Sequence, residues 1–494
     1  MSAVGSIMTN TGALQALNSI SATSANTNNL QTQLSSGLSI SSPSNNPAGY
    51  ITAQGFTSQL NGITQAISNA NQGVSLLQTA QGAISQQIGI TQQLNSIAVQ
   101  AANGTQTSSE SQSLQNLVGQ LTGQVSTIAN QTQFNNISLL NGTFSGVQFQ
   151  VGANEGQTQS LSISKMTASA IGMNASVASA AVFKSGTASS GSGQMTVGTT
   201  TPATVGAYTA GTAKIIGNNG GSASIVSTTG ESAASIATAV NNVSGTTGVQ
   251  AQATNSVVLT ASFVAGKSLN FSIQAGSGLT GTIGTAQNIA ASSANALVSQ
   301  INGGTSTSGI SASLNKSGNV VLSQSAGQNM ILNYSGAAAS GSLKSVGGTV
   351  ATFSSTNKNA VIQGQTQLQS SGAFSVTNGT AIGVKSSSTL DALSAINVST
   401  TSGANQAINV VKYALAALNN QGGQLGATQQ AMTANINNLN TTSQNVTTAL
   451  GVVQDANIPA VSNQLTQAQI QAQAGVAALK SSTQLQQSYL SLLP

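Results

Sequence analysis

Apolar residues recur along three segments of this chain at alternating steps of three and four, the spacing of a helical a/d seam. The segments are 60–88, 114–128 and 408–450, and a few positions, such as Gln81 and Gly422, interrupt the frame. A single helix cannot bury such a seam, so we expect the three segments to pack together, which brings the two ends of the chain into one bundle. The predicted seam positions are Leu60, Ile63, Ile67, Val74, Leu77, Ile84, Ile88, Leu114, Val118, Leu121, Val125, Ile128, Ile408, Val411, Leu415, Leu418, Leu425, Met432, Ile436, Leu439, Val446 and Leu450.

The two extremities of the chain carry a thinner helical pattern in a background rich in Gln and Ser. Their apolar positions are Leu14, Leu17, Leu30, Leu34, Val461, Leu465, Val476, Leu479, Leu490, Leu492 and Leu493. Short helices without tertiary burial are marginal in water. We therefore expect segments of about 1–40 and 460–494 to be largely disordered in the monomer and to fold when neighbouring molecules supply the missing surface.

The middle of the chain, from about 175 to 385, has the pattern of strands and turns. Gly, Ser and Thr become frequent there and apolar residues come in short alternating runs, which is typical of sheets. Two stretches near 230–274 and 292–335 resemble each other at an offset of 61 residues. Each copy predicts a short helix followed by strands.

These patterns predict an α+β fold in which a terminal helical coiled-coil bundle, formed by the N- and C-terminal segments, carries a β-rich, solvent-facing insert. All five prolines fall outside the interiors of the predicted helices, which supports the assignment. The predicted parts are a core helix in 1–42, heptad helices with a β-turn region in 43–175, outer domains in 176–388, a heptad helix in 389–454 and a core helix in 455–494.

Charged residues make up only 3% of the chain, against about 25% in ordinary soluble domains. Arg, His and Cys are absent, and the Lys residues are scattered, so the sequence predicts no nucleic-acid surface and no catalytic, cofactor or metal site. It holds no apolar run long enough to cross a bilayer. Its start lacks a basic region followed by an apolar run, so we expect no cleaved signal peptide.

Several short motifs resemble bacterial flagellins in both identity and order. They are LSSGL at 34–38, NNPAG at 45–49, NANQGVS at 69–75, AVQAANG at 98–104, NQTQFN at 130–135 and VGANEG at 151–156, followed near the other end by DAN at 455–457, AQI at 468–470 and LSLL at 490–493. The resemblance covers about 1–170 and 390–494. The duplicated middle is similar, more weakly, to insert modules of flagellins and hook-associated proteins.

This resemblance implies a structural subunit that polymerises through its terminal helices into the extracellular flagellar filament. It further implies unfolded export through the flagellar apparatus, a cytoplasmic chaperone, a filament cap and hook-associated proteins as partners. Many flagellins engage an animal Toll-like receptor through an Arg and a Glu near the AVQ motif. The aligned positions here include Gln93 and Ser96, with the apolar Ile97 retained. We therefore expect this chain to stimulate that receptor weakly.

Two other functions remain open at the level of sequence. A hook–filament junction protein would share similar ends, and a Ser/Thr-rich surface adhesin would suit the middle segment.

The scarcity of carboxylates favours a filament that tolerates acid, because acid unfolding proceeds mainly by protonating paired carboxylates. The alternative explanation of the low charge content is drift in composition within the lineage.

Overall fold

The computed structural model describes residues 10–103, 105–177, 183–186, 208, 210–228, 231–261, 263, 266–276, 285–315, 317–334, 341–345, 350–353 and 359–490. Long helices lie towards both ends of the chain and strands occupy its middle, as expected of the α+β class. The helices are α1 (Thr11–Ser36), α2 (Pro47–Ala101), α3 (Ser108–Gln131), α4 (Ala233–Asn242), α5 (Ser244–Thr247), α6 (Ala294–Gly303), α7 (Thr305–Ser308), α8 (Thr401–Gln454) and α9 (Ile458–Leu490), with 3₁₀ turns at Gly379–Ile382 and Leu393–Ala395.

The strands are β1 (Gln133–Phe134), β2 (Ile137–Ser138), β3 (Val147–Gln150), β4 (Thr158–Leu161), β5 (Gly172–Val177), β6 (Phe183–Gly186), β7 (Gly211–Ile216), β8 (Ser222–Ser227), β9 (Gln250–Ala261), β10 (Leu269–Gly276), β11 (Gln287–Ala291), β12 (Ser311–Leu314), β13 (Val320–Gln324), β14 (Asn329–Tyr334), β15 (Gly341–Ser345), β16 (Val350–Phe353), β17 (Asn359–Ile362), β18 (Gln365–Ser370), β19 (Ser375–Thr377) and β20 (Thr389–Ala392). All their described pairings are antiparallel.

Contacts divide the chain into two compact units. One comprises residues 1–78, 145–162 and 425–494, and the other comprises 79–144 and 163–424. The boundary falls inside the predicted segments 43–175 and 389–454, so the predicted domain limits stay a prediction.

The first unit combines α1, α9, the start of α2, the end of α8 and the β3–β4 hairpin. Gly73 of α2 lets the hairpin and α8 approach closely: a Cβ atom there would lie 2.8 Å from Cε of Met432 and 3.5 Å from Phe149. Nδ2 of Asn69 donates to the carbonyl of Gln150 in the hairpin at 3.2 Å. The absence of a side chain at one buried turn of α2 therefore positions the hairpin.

Helix starts follow the local sequence. Pro47 is the first residue of α2, the position where its missing N–H costs nothing. At α3 the Thr107 side chain accepts from the Glu110 backbone and Glu110 bonds back to the Thr107 backbone, which together form a capping box.

In the second unit, two buried glutamines hold the segment that follows the hairpin. Nε2 of Gln87 on α2 donates to the carbonyls of Val125 and Met166, at 2.9 and 3.0 Å. Oε1 of Gln421 on α8 accepts from the backbone N–H of Ser164 at 3.1 Å. These amides fix the 164–166 backbone against three helices, so the bundle contains a polar layer as well as apolar seams.

The strands of this unit form two similar modules, one inserted in the other. The first runs β7–β8–α4–α5–β9 and resumes at β18–β19; the second runs β10–β11–α6–α7–β12–β13–β14 between them. In the first, β9 pairs with β18 and β19 with β7; in the second, β12 pairs with β13 and β14 with β10. The two modules thus have the same order of elements and the same pairings, and the second is nested in the first.

The nesting depends on the long strand β9. Its residues 250–254 pair with β18 of the first module, and residues 255–259 pair with β13 of the second. Each module has its own core: Ile236 and Val240 of α4 lie in one, and the equivalent Leu297 and Ile301 of α6 lie in the other. One strand therefore serves two hydrophobic cores in succession.

Candidate assembly surface

The two extremities of the chain form an antiparallel helical pair, α1 with α9. Asn10 caps α1, where its Oδ1 accepts from the Ala13 N–H at 2.8 Å. The same side chain bonds α9: its Nδ2 donates to Oε1 of Gln486 at 2.9 Å, and its Oδ1 accepts from Oγ of Ser482 at 3.1 Å. One asparagine thus begins the first helix and ties it to the last.

The other end of the pair is closed by backbone bonds. Gly37 ends α1 in the left-handed conformation, with φ of +74°. Its carbonyl accepts from the Ala456 N–H at 2.9 Å, and the Ser39 N–H donates to the Gln454 carbonyl at 2.7 Å. Asn457 then caps α9, its Oδ1 accepting from the Ala460 N–H at 3.2 Å, and Pro459 lies in the first turn of the helix.

Little apolar surface is buried between the two helices. Their cluster contains three buried residues, Leu30, Val461 and Ala468, with Leu465 packed against them. Gly475 allows a close approach, because a Cβ atom there would lie 2.9 Å from Cγ1 of Ile20.

Much of the apolar surface of the pair faces solvent instead. Leu14 and Leu17 of α1 are 52% and 50% exposed, and Val476 of α9 is 56% exposed. Leu34, Ile470 and Leu485 are also exposed, and Leu479 is half-buried. Leu490 is the last residue of α9, whereas Leu492 and Leu493 lie outside the described residues.

The predicted seam positions all lie inside their own units, buried or half-buried. Buried are Ile63, Leu77, Ile84, Val118, Val125, Val411, Leu418, Leu425, Met432 and Val446. Half-buried are Leu60, Ile67, Val74, Ile88, Leu114, Leu121, Ile128, Ile408, Leu415, Ile436, Leu439 and Leu450. Their role in assembly stays a prediction.

The seam frame omitted many residues that fill the helical cores. Leu76, Leu94, Ala80 and Ala98 of α2 are all at most 3% exposed. The two buried glutamines, Gln87 and Gln421, were also missed. Gln87 is next to the seam position Ile88, and Gln421 is next to the interruption at Gly422. That proximity is the signal in the sequence that could have indicated them.

The predicted receptor-like residues lie on α2 in the second unit. Gln93 and Ser96 are exposed, whereas Ile97 is buried. The two polar side chains are therefore accessible, and Ile97 contributes to the packing of the helices.

Local hydrogen bonds and burial shift the pKa of Glu110, Tyr208 and Tyr413 among the described residues. Hydrogen bonds from the backbone and side chain of Thr107 lower the pKa of Glu110. Burial raises the pKa of Tyr208 to about 12 and also raises that of Tyr413. The Tyr208 hydroxyl is hydrogen-bonded to Oγ1 of Thr366 at 2.7 Å and donates to the Gly364 carbonyl at 3.1 Å, so it is a satisfied core phenol.

Within the described ranges, no group of three or more acidic, His or Cys side chains is placed to hold a metal ion. Among the same residues, no helix combines the length and hydropathy needed to cross a bilayer.

In the described residues the two ends of the chain form one helical pair, the helical seams are buried or half-buried, and strands fill the middle. The models of the bacterial flagellin N-terminal and C-terminal helical regions match residues 7–145 and 408–493. The B-type flagellin of Pseudomonas aeruginosa is 31% identical over 504 aligned positions, which cover 99% of each chain. The chain belongs to the bacterial flagellin family, and it is a structural subunit of the extracellular flagellar filament.

Solved flagellar structures are similar only loosely. FliC from Burkholderia pseudomallei is 20% identical with a TM-score of 0.30, covering 72% of this chain and 99% of that one. The flagellar hook associated protein-3 from Legionella pneumophila is 12% identical with a TM-score of 0.35, covering 81% of this chain and 98% of that one.

Proposed function

We propose that this flagellin polymerises through the apolar side chains that α1 and α9 leave exposed. The observation that carries the proposal is the imbalance within the pair. Three residues are buried between the helices, while large apolar side chains such as Leu14, Leu17 and Val476 are about half exposed.

The energetics favour burial by neighbouring copies. Fully burying one such side chain contributes about 1.5–3 kcal/mol, whereas fixing the backbone of one residue costs roughly 1–2 kcal/mol. Burial of the three residues of the pair cannot offset the conformational entropy that is lost when Thr11–Ser36 and Ile458–Leu490 become helical. Repeated contacts in a polymer would supply the remaining free energy, so folding of the extremities and assembly are coupled.

The helical seams serve a different purpose in this proposal. Because residues such as Leu77 and Leu418 are already fully buried within their own units, they stabilise the subunit before assembly. The nested modules, with separate cores, would form the outward part. The predicted limits of 43–175, 176–388 and 389–454 describe these parts.

Export and assembly partners follow from the same premise. Extremities that are unfolded in the monomer suit passage through the flagellar export apparatus and capture by a chaperone. A filament cap and hook-associated proteins would contact the ends of the polymer. We propose no enzymatic activity.

Seeded polymerisation tests the proposal. Deleting residues 460–494, or the double change V476S/L485S, should leave a soluble protein that no longer extends filament seeds in electron micrographs. The matched control is Q473S, at an exposed polar position of the same helix, which should still extend them. Polymerisation by V476S/L485S equal to that of Q473S would contradict the proposal.

The same experiment separates the alternatives. A junction protein would add a short segment to a seed without extending it. An adhesin would keep its surface binding after the deletion, and full-length protein would not extend seeds.

A further inference from the structure

Three neutral side chains bond both backbone groups of a residue whose strand is unpaired on one side: two such residues lie on the outer strands β11 and β12, and one lies on β9 beyond the end of β13. Oδ1 of Asn302 accepts from the Ala312 N–H at 2.7 Å, and its Nδ2 donates to the Ala312 carbonyl at 2.8 Å. A carboxamide bonded in this way occupies the donor and acceptor that a neighbouring strand would use.

The equivalent residue in the first module makes the same pair of bonds. Oδ1 of Asn241 accepts from the Ala251 N–H at 2.8 Å, and its Nδ2 donates to the Ala251 carbonyl at 3.0 Å. Asn241 and Asn302 are separated by the 61-residue offset of the modules. Each is close to the end of its helix, α4 or α6, and each faces a strand that is paired on its other side, β9 with β18 or β12 with β13.

The second module has a third such contact on its opposite edge. Oε1 of Gln300 accepts from the Ala290 N–H at 2.9 Å, and its Nε2 donates to the Ala290 carbonyl at 2.8 Å. Ala290 lies on β11, the first strand of the five-stranded sheet, which pairs with β10. In the second module, therefore, one amide faces each of the two outer strands.

Exposed strand edges are a liability, because their unpaired N–H and carbonyl groups accept strands from other chains, and proteins often guard them with Lys. This chain has ten Lys in 494 residues. At Ala251, Ala290 and Ala312 the protection comes instead from groups that carry no charge. It consequently does not depend on pH or on salt.

We propose that Asn241, Gln300 and Asn302 are edge clamps that prevent strand addition between the outer modules of neighbouring copies of this chain. The need for them rests on the proposed filament, in which identical modules lie side by side at high local concentration. The clamps keep lateral contact non-specific and weak, so that filaments stay separate.

Hydrogen exchange resolved to single residues tests the clamp itself on the full-length monomer. The Ala312 amide should be protected in the native protein and should exchange at least tenfold faster in N302A. The control is N242A, at an exposed asparagine next to Asn241 on α4, which should leave all three protected amides unchanged. Equal exchange at Ala312 in the native protein and N302A would overturn the proposal, whether or not the protein polymerises.

Association is tested with the triple variant N241A/Q300A/N302A. Light scattering and electron microscopy should show sheet-dependent aggregation of monomers and side-by-side bundling of seeded filaments, while N242A stays dispersed. The single variant N302A should also aggregate, and adding S313K, which places a charge at an exposed position of β12, should keep N302A dispersed. A triple variant as dispersed as N242A, or aggregation of N302A that S313K leaves unchanged, would contradict the proposal.

Discussion

The carbonyl of Gly37 accepts a hydrogen bond from the backbone N–H of Ala456, 2.9 Å away, although the two residues belong to opposite ends of the chain. Leu38 and Asp455 form a bridge beside it. The end of α1 and the start of α9 therefore meet at one short backbone junction, and their pairing does not depend on the thin apolar contact alone.

Gly37 is required by this junction because its φ of +74° is strained for any side chain. Because α1 folds on assembly in the proposed function, we expect G37A to destabilise the assembled subunit by about 1–2 kcal/mol. Gly55, inside α2 with nothing within 4 Å of a Cβ atom, provides the matched control, and G55A should stabilise by up to about 1 kcal/mol. Urea-induced disassembly and unfolding of seeded filaments, followed by circular dichroism, measures both; equal effects of the two changes would show that the left-handed junction is unimportant.

The burial of the seam can be tested within a single helix. Val411 and Val452 both lie on α8, but Val411 is fully buried and Val452 is 83% exposed. V411A should cost about 2 kcal/mol, from lost burial at about 0.8 kcal/mol per methylene and the cavity it leaves. V452A should change the free energy of unfolding by less than about 0.5 kcal/mol. Similar costs for the two variants would refute a role of the seam in subunit stability.

Glu110 gives the chain a small, localised dependence on pH. Its pKa is lowered in the folded state by bonds from Thr107, at 2.7 Å from the backbone N–H and 2.8 Å from the hydroxyl. The resulting stabilisation is present above the ordinary carboxyl pKa and is lost as the pH falls through the folded value. E110Q keeps a capping side chain that does not titrate. Its melting temperature should therefore fall less between pH 7 and pH 3 than that of the native protein.

The control for this comparison is S109A, in the same first turn, which should follow the native acid profile. An E110Q profile identical to that of S109A would contradict the role of Glu110 in the pH dependence.

Because the chain has five acidic residues in all, we also expect filaments to persist down to about pH 2–3. Depolymerisation at pH 4–5 in sedimentation assays would count against acid tolerance.

The exposed residues Gln93 and Ser96 lead us to predict weak stimulation of the receptor. The family resemblance places an Arg and a Glu in this region of many flagellins, and both positions here carry neutral, accessible side chains. The native protein should stimulate the Toll-like flagellin receptor weakly in a reporter-cell assay, and Q93R/S96E should be at least tenfold more potent. Q100R, at another exposed glutamine of α2, should remain weak; native potency equal to that of a charged flagellin would refute the hypothesis.

Periodicity predicted the long helices well because burial on one side imposes a regular spacing. It identified Leu77, Leu418 and Met432, which are all at most 1% exposed. It could not identify Gln87 or Gln421, because a buried amide depends on backbone groups at 125 and 164–166 that only the folded chain brings near. The exposure of Leu14 and Leu17 was likewise not readable from spacing, since a stripe on a helix does not say what covers it.

The duplication illustrates a second limit. The 61-residue offset between Ala233 and Ala294, the first residues of α4 and α6, was visible in the sequence. The insertion of one module inside the other was not, because β18 and β19 return to the first module only after the whole second module has intervened. Pairings of that sequence separation leave no local pattern.

Hydrogen exchange of the backbone amides of α1 and α9, compared between dilute monomer and seeded filament, tests the central claim most directly. We predict that amides in 11–36 and 458–490 exchange rapidly in the monomer and become strongly protected in the filament, while those of α3 are protected in both. Full protection of α1 and α9 in the monomer, or filaments in which those amides still exchange freely, would contradict the account.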